Sequence, residues 1–480
     1  MKKKIDLKKR ISSIMQIVKD SNISIVWWGL LFIIVIFLCY TNIYNDILVT
    51  AKASYNMWDY IFSGRIGEWA LRPLIVPGKY YTIEQSGRYP FVAQFTMSIW
   101  MFPMWVFGKI IGHSVYNTVA SMIWLKTWIL LSYILSGIMV YKIVKNFRSS
   151  AEAIRASFIF YSSVMILLST FIVSQIEIFT CLLVLCGIDA WIEKRRKSFL
   201  CFFMLAVGMK YFALLTFIPL LLTDEKRIKN ILLYSGIVSL PVLEILFPKV
   251  GGGGNAPAYA SRFFYAIFNL GPSVLYPFIF TVLIVIILAY LHDSKKHSDD
   301  LFFVIICEVV IWGAFCLFLN PNPYWCVLIT PFLCLAIGMS DYKKNEMLVL
   351  EMMFTCFLSF VHICMFYPVY DARTELEMGI IPFLLGINVM PVDTNQIYMS
   401  TFDFFSSFII EIETVKALSY NVALVCFFVF VYLVWNNYSG KKILKKNIEK
   451  KDDCKLCILR LIISIIVGLL PIASFIYFYV

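Results

Sequence analysis

The chain is dominated by apolar stretches that are each long enough to cross a lipid bilayer as a helix. A spanning helix needs roughly 20 apolar residues, and about a dozen such stretches follow one another here. Hydrophobic residues make up 60% of the sequence, charged residues only 15%, and the mean hydropathy is +0.80. This composition excludes a soluble enzyme. We predict an all-α polytopic membrane protein with about 11 to 13 transmembrane helices.

Residues 1–480 are expected to form a single integral membrane domain without a separate soluble part. The basic segment 1–22 is predicted to be a cytoplasmic N-terminus. The apolar stretch behind it is long for a signal peptide and no small-residue cleavage site follows, which is typical of an uncleaved anchor. Residues 45–118 form the first long loop, and 119–480 supply the remaining bundle.

The basic residues predict the orientation. The chain has 42 Lys and Arg against 30 Asp and Glu, a net charge of +12. Thirty of the basic residues lie in seven patches between apolar stretches: 2–19, 142–155, 194–197, 226–229, 295–296, 343–344 and 441–460. Such patches mark the cytoplasmic face, where they attract anionic membrane lipids. No nucleic-acid partner is needed to explain them.

Keeping every basic patch on one side requires two departures from simple threading. Stretch 91–112 is predicted not to cross but to lie at the interface, because Pro103, Gly108 and Lys109 interrupt it. Stretch 199–222 has basic residues at both ends, and is predicted to be a hairpin broken at Gly208–Lys210. The predicted spans are 23–44, 119–141, 156–173, 178–192, 230–247, 273–291, 301–319, 325–340, 347–368, 415–436 and 457–479. The C-terminus is then extracytoplasmic.

The acidic and aromatic loops all fall on the extracytoplasmic side. They are 45–118, 174–177, 250–272, 320–325 and 369–413. The first is expected to contain helices parallel to the membrane. Ionisable groups at a membrane face suggest a functional site by default. We therefore expect an active or binding site there.

Two acids in the first loop are candidates. Asp46 directly follows the first span, where a carboxylate could act as general base on a hydroxyl arriving from the aqueous side. Asp46 could equally begin the next helix as a cap. Asp59 follows Trp58 in what resembles a surface helix, and its charge could bind substrate or simply face water.

Later segments add polar and cationic candidates. Gln175 and Glu177 cap a tight turn between apolar spans, as site residues or as solvated turn residues. Lys210 lies within an apolar stretch and Arg262 in a glycine-rich loop, where fixed positive charge could stabilise a phosphate leaving group. Lys210 could instead extend its ammonium to the nearest interface.

The order of these motifs resembles the type-C glycosyltransferases, multi-pass enzymes that take sugars from polyprenyl-phosphate donors, and in particular their bacterial mannosyltransferase-like branch. The likeness covers roughly residues 24–340. It rests on four features. The first two are Asp46 after the first span and Tyr89-Pro90 before an interfacial helix. The other two are Ser174-Gln175-Ile176-Glu177 followed by Ala206-Val207-Gly208-Met209-Lys210, and Asn322-Pro323-Tyr324-Trp325 followed by Thr330-Pro331-Phe332. Ser174, Tyr211 and Phe91 depart from the family pattern, which has glycine, proline and a second proline there.

The resemblance implies a type-C bundle and transfer of a sugar to a glycolipid, polysaccharide or other cell-envelope acceptor on the extracytoplasmic face. Asp46 would deprotonate the acceptor hydroxyl, which displaces polyprenyl phosphate with inversion. Lys210 and Arg262 would hold the donor phosphate. The sugar site would be lined by Gln175, Glu177 and Tyr324, and Asp59 is a further candidate for substrate binding. No cofactor is expected; some relatives use a divalent metal, but the first loop has no paired acidic motif for one.

Three other functions stay open. A transporter or flippase of lipid-linked saccharides has as many spans, but typically carries charges within the bundle and repeated halves. A polysaccharide polymerase or ligase has its largest external loop in the later half, for which segment 369–413 leaves room. A non-catalytic scaffold would leave Asp46 and Lys210 unexplained.

Overall fold

A computed structural model describes most of the chain. The described residues are 23–42, 45–66, 74–75, 82–83, 89–116, 118–173, 175–246, 277–293, 297–319, 321–365, 400–439 and 454–479. Within them the chain forms 17 α-helices and one pair of two-residue antiparallel strands, β1 (Leu74–Ile75) and β2 (Thr82–Ile83). The predicted all-α membrane fold is confirmed.

The helices follow the predicted apolar stretches closely. The first eight are α1 (Ile25–Thr41), α2 (Asn45–Phe62), α3 (Phe91–Ile111), α4 (Val119–Lys145), α5 (Ser150–Tyr161), α6 (Val164–Leu167), α7 (Glu177–Ile192) and α8 (Arg196–Met209). The others are α9 (Leu214–Asp224), α10 (Ile228–Val238), α11 (Pro277–Leu291), α12 (His297–Phe318), α13 (Thr330–Met339), α14 (Lys344–Met365), α15 (Thr401–Ser406), α16 (Ile412–Ser439) and α17 (Cys454–Tyr479). A π-helical turn, Leu168–Ile172, extends α6, and 3₁₀ turns occupy Tyr211–Ala213, Leu240–Leu246 and Pro323–Ile329.

Six helices of the described ranges are long and apolar enough to cross a membrane: α3, α4, α12, α14, α16 and α17. The pair α5 and α6 qualifies as a seventh, bent by 49°. Shorter apolar helices, among them α1 and α11, accompany these spans. The chain is therefore a multi-pass membrane protein, while the predicted total of about 11 to 13 spans stays a prediction.

The basic patches of the described segments gather at one end of the bundle, which we call the basic end. Ion pairs and hydrogen bonds join its turns: Lys142 to Asp189 at 2.7 Å, Lys194 to Asp224 at 2.8 Å, Lys344 to Glu152 at 2.6 Å, Arg148 to Asp341 at 2.5 Å, and Lys226 to the Ala289 carbonyl at 2.9 Å. These contacts confirm that the patches 142–155, 194–197, 226–229 and 343–344 share one side. Which compartment that side faces stays a prediction from the positive-inside rule.

The predicted broken hairpin is confirmed. Helix α8 ends at Met209, and Lys210 takes an extended backbone with φ −152° and ψ 121° before the chain turns into α9. Arg196 at the start of α8 donates to Asp224 at the end of α9 at 2.6 Å, so both arms begin and end at the basic end. Lys210 therefore lies at the tip, inside the bundle.

The predicted interruption of stretch 91–112 is wrong. Helix α3 runs unbroken through Pro103 and ends at Gly112, whose φ of +78° suits glycine. Proline removes a single backbone donor, and packing from neighbouring helices can offset that loss. Trp100 of α3 stacks on Trp124 of α4 at 4.7 Å, and each indole donates to the other residue's carbonyl. Helix α3 is long enough to span, so its interfacial position stays a prediction.

A buried ion pair holds the bend between α5 and α6. Arg460 of α17 donates through Nε and Nη2 to the two carboxylate oxygens of Glu351 in α14, both at 2.7 Å. Its Nη1 donates to the Ile159 carbonyl at 2.6 Å and to Ser162 Oγ at 2.8 Å. We call these four residues the Arg460 clamp. It joins three helices through a fully buried, bidentate contact.

Candidate functional site

The centre of the candidate site is a buried ion pair at the tip of the α8–α9 hairpin. Lys210 Nζ lies 2.7 Å from Glu177 Oε1, and the two side chains are only 8% and 2% exposed. Glu177 is the first residue of α7, where a carboxylate also benefits from the helix dipole. The extended backbone at residue 210 turns the lysine towards that helix end. The structure thus joins two of the residues that the sequence singled out.

Aromatic rings surround the ammonium. Lys210 Nζ lies 4.2 Å from the ring centroid of Tyr89, 5.9 Å from that of Tyr324 and 6.0 Å from that of Trp325. Ring faces attract cations electrostatically, most strongly where water is excluded. We call Tyr89, Glu177, Lys210, Tyr324 and Trp325 the Lys210 box. Its members come from four distant segments of the chain.

Gln175 forms one edge of the box. The Tyr89 hydroxyl donates to Gln175 Oε1 at 2.9 Å, which fixes the amide orientation. Gln175 is 1% exposed, and its Nε2 has no hydrogen-bond partner among the described residues. Buried amide donors are seldom left unsatisfied, because desolvation is costly. The two N–H groups are therefore available to a ligand or to water.

The 3₁₀ turn Pro323–Ile329 supplies the opposite wall. Asn322 Nδ2 donates to the Tyr324 hydroxyl at 2.8 Å, and Ser169 Oγ donates to the Pro323 carbonyl at 2.8 Å. The Trp325 ring lies 4.7 Å from that of Phe212, just after the hairpin tip. The wall is thus held against both the π-helical turn and the hairpin.

A glycine allows the close approach of α3 to α8. A Cβ on Gly208 would lie 2.7 Å from Val92 Cβ, closer than side chains tolerate. Val92 lies in the first turn of α3, which directly follows Tyr89-Pro90. Gly208 therefore brings Tyr89 over the ammonium of Lys210.

Asp59 lies in a different contact. Its carboxylate pairs with Lys109 at 2.7 Å and accepts from Trp105 Nε1 at 3.0 Å, so it joins α2 to α3. Its side chain is 43% exposed. The structure does not place Asp59 in the Lys210 box, and its predicted role in substrate binding stays a prediction.

The other two predicted residues are less defined. Asp46 is the second residue of α2 and its side chain is outside the described part, so its roles as base or as helix cap both stay predictions. Arg262 lies outside the described residues. On the same helix as Asp46, burial lowers the pKa of Lys52, whose ammonium lies 5.1 Å from the Tyr116 ring.

Besides the Arg460–Glu351 pair, sequence reasoning missed the buried ionisable groups of Lys126 and Glu308. Lys126 in α4 is 1% exposed and donates to the Phe171 carbonyl of the π-helical turn at 3.2 Å. Glu308 in α12 is completely buried. Both interrupt apolar stretches, as Lys210 does. An ionisable residue within an apolar stretch is the local signal that selected Lys210, and the same signal marks Lys126 and Glu308.

Comparisons with known proteins add no family. No protein-family model matches the chain, and neither the curated proteins nor the solved structures contain a significant match. Within the described ranges, no group of three or more His, Cys, Asp or Glu could hold a metal ion. The chemistry of the site follows from its geometry: a buried ammonium, a fixed amide and aromatic faces suit an anionic ligand that also carries hydroxyl groups.

Proposed function

We propose that this protein is an integral membrane glycosyltransferase that moves a sugar from a polyprenyl-phosphate donor to a glycan or lipid acceptor of the cell envelope. The observation that supports the proposal best is the Lys210 box. It combines a cation suited to a phosphate with aromatic rings suited to a sugar, and the Gln175 amide adjoins it. Asp46 is the second residue of α2, which packs against α3, the helix that Tyr89 precedes.

The proposed chemistry uses each group in one role. The Asp46 carboxylate takes the proton of the acceptor hydroxyl, whose oxygen attacks the anomeric carbon of the donor sugar. The bond from that carbon to the phosphate oxygen breaks, polyprenyl phosphate leaves, and the anomeric configuration inverts. Lys210 stabilises the negative charge that develops on the phosphate, because a fixed cation in a dry site acts strongly on such charge. Arg262 is proposed to assist it.

To bind the donor, Lys210 must donate at least one of its N–H groups to the phosphate. A lysine ammonium has three N–H donors, and Glu177 Oε1 is the acceptor at 2.7 Å. Gln175 and Glu177 would then hydrogen-bond to sugar hydroxyls, with the rings of Tyr89 and Tyr324 beside the sugar. By the positive-inside rule the site opens on the extracytoplasmic side.

Transport or flipping of lipid-linked saccharides is the second candidate. It is favoured by the number of ionisable groups buried within the bundle, notably Lys126, Glu308 and the Glu351–Arg460 pair. Intramembrane charges commonly line substrate or ion pathways. A transporter would move the intact lipid-linked sugar without breaking its glycosidic phosphate bond.

A transfer assay separates the two candidates. Membranes containing the protein would receive radiolabelled polyprenyl-phosphate sugars, and both the labelled product and released polyprenyl phosphate would be measured. We expect Asp46→Asn to lower transfer by about 10²-fold or more, the usual contribution of a general base. We expect a loss of about 10²-fold for Lys210→Met, comparable to losing one charge-stabilising group.

Matched controls lie at the basic end, away from the box. Lys145→Met removes a lysine beside the Tyr141 ring, and Asp293→Asn removes an exposed acid; both should retain full transfer. Wild-type membranes that translocate labelled lipid without releasing polyprenyl phosphate would support the transporter instead. Transfer that is unchanged in Asp46→Asn would contradict the proposed role of that residue.

A further inference from the structure

Glu308 lies at the centre of a membrane-spanning helix. It is ten residues from each end of the apolar segment Ser298–Phe318 of α12, which corresponds to about 15 Å of helix on either side. Most of that segment is buried within the protein, and Glu308 is completely inaccessible to solvent. Its carboxyl group is therefore isolated from both membrane surfaces.

A threonine hydroxyl is hydrogen-bonded to this carboxyl, and a tryptophan indole is hydrogen-bonded to that hydroxyl. Thr216 of α9 donates its hydroxyl to Glu308 Oε2 at 2.7 Å. Trp312, one turn further along α12, donates its indole N–H to Thr216 Oγ1 at 2.9 Å, which commits the threonine proton to Glu308. Glu308 Oε1 has no hydrogen-bond partner among the described residues.

Among the residues that the structure describes, the elements packed against α12 bring no cation to this carboxyl. Helices α11 and α13 and the 3₁₀ turn Pro323–Ile329 contain no Lys, Arg, Asp or Glu, and the one acid of α9 is Asp224 at its end. In α16 the charged residues, Glu413 and Lys416, lie near the start of the helix. Tyr438, near its end, is a titratable group that interacts with Asp300 and Cys307 of α12. On α12 itself, the titratable group next to Glu308 is the thiol of Cys307.

We propose that Glu308 is an intramembrane proton-binding site, with the carboxyl group neutral and its proton on Oε1. An ionised carboxylate that is buried without a cation costs far more than one hydrogen bond returns, whereas the protonated form carries no charge. Thr216 donates to Oε2, so the opposite oxygen is the one free to hold the proton. This assignment does not depend on the proposed glycosyl transfer.

Proton binding at Glu308 is linked physically to the hairpin. Thr216 belongs to the arm that follows Lys210, and the Trp312 ring packs on Phe315 at 5.2 Å. Phe315 in turn packs on Trp325 of the Lys210 box at 6.3 Å. Loss of the proton would leave a negatively charged carboxylate beside Thr216. A movement of the hairpin that stabilises this carboxylate would therefore also promote release of the proton from Glu308.

Infrared spectroscopy tests the protonation directly. The difference spectrum between wild type and Glu308→Gln should contain the C=O band of a neutral carboxylic acid, which shifts in D₂O. The amide retains the acceptor for Thr216, so this variant should fold. A difference spectrum that instead contains carboxylate bands at neutral pH would overturn the proposal.

Carbodiimide labelling provides an independent test with a matched control. Dicyclohexylcarbodiimide adds to protonated carboxyls in apolar surroundings, and mass spectrometry locates the adduct. Glu351 is equally buried but paired with Arg460, so we expect roughly tenfold or more labelling of Glu308 over Glu351. Equal labelling, or protection of Glu308 by millimolar Na⁺ at fixed pH, would contradict a proton site.

Discussion

Two buried ion pairs in this bundle differ in how completely they are satisfied. In the Arg460 clamp, three guanidinium nitrogens donate to Glu351, Ile159 and Ser162, and both carboxylate oxygens of Glu351 accept. Within the described part of the chain, Lys210 instead makes a single ion-pair contact, with Glu177, and ring faces take the place of further acceptors. A saturated pair has no capacity for a ligand. The unsaturated pair retains donors that a ligand can use.

The difference assigns the two pairs to different tasks. The clamp lies at the bend between α5 and α6, where it orders three helices. The Lys210 box lies at a hairpin tip, beside an amide with unsatisfied donors. We therefore expect changes in the clamp to affect stability, and changes in the box to affect ligand binding.

Breaking the clamp should have the largest effect on stability. Arg460→Met leaves the Glu351 carboxylate buried without its partner, which costs about 3–5 kcal/mol. The double variant Arg460→Met/Glu351→Leu should recover much of that loss because no buried charge remains. Thermal unfolding in detergent measures both. A loss below about 1 kcal/mol in the single variant would contradict the structural role.

Lys210→Met should destabilise the protein less. The lysine has one ion-pair contact among the described residues, so we expect a loss of about 1–3 kcal/mol in the free energy of unfolding, the usual cost of leaving a buried group unsatisfied. Its effect on sugar transfer should be far larger than that of Arg460→Met, compared at equal amounts of folded protein. If the two variants ranked the other way round in transfer, the division of tasks would be wrong.

Gly208→Ala tests the role of the Lys210 box in ligand binding without altering any charge. The added methyl group would clash with Val92 and push α3 away from α8. Such overpacking should lower the free energy of unfolding by about 1–3 kcal/mol. Because Tyr89 precedes α3, transfer should fall as well. Gly29→Ala is the matched control, since a Cβ there has no neighbour within 4 Å. Equal transfer by both variants would show that the approach of α3 is unimportant.

The exposed pairs of the basic end should have the smallest effect. Hydrogen bonds from Lys142 and Arg195 lower the pKa of Glu193 below its ordinary value of 4.5. The stabilisation is therefore present above that value and is lost as the pH falls through the lowered pKa. Glu193→Gln should have only a small effect on the unfolding temperature at neutral pH, because exposed ion pairs contribute little. Unfolding curves of both proteins should converge in acid; a gap that widens in acid would contradict this sign.

Most of the fold was predictable from the sequence because apolar length and basic patches act locally. The broken hairpin at Lys210 followed from basic residues at both of its ends, and the structure confirms it. The break expected near Pro103 was wrong, since packing across α3 and α4 is not visible in a local pattern.

The candidate site was predictable only in part. Gln175, Glu177, Lys210 and Tyr324 were each selected from sequence, but their convergence depends on contacts between distant segments. Nothing local indicated that Asp59 would pair with Lys109, or that Trp325 would join the box. The clamp was missed because Arg460 lies in a basic stretch that resembles a cytoplasmic patch.

Equilibrium binding of radiolabelled polyprenyl phosphate to the purified protein tests the central claim most directly. It isolates the phosphate from the sugar and from catalysis. We predict that Lys210→Met weakens binding about tenfold or more, equivalent to at least about 1.4 kcal/mol, while Lys145→Met binds as wild type does. Wild-type affinity in a folded Lys210→Met protein would contradict the account.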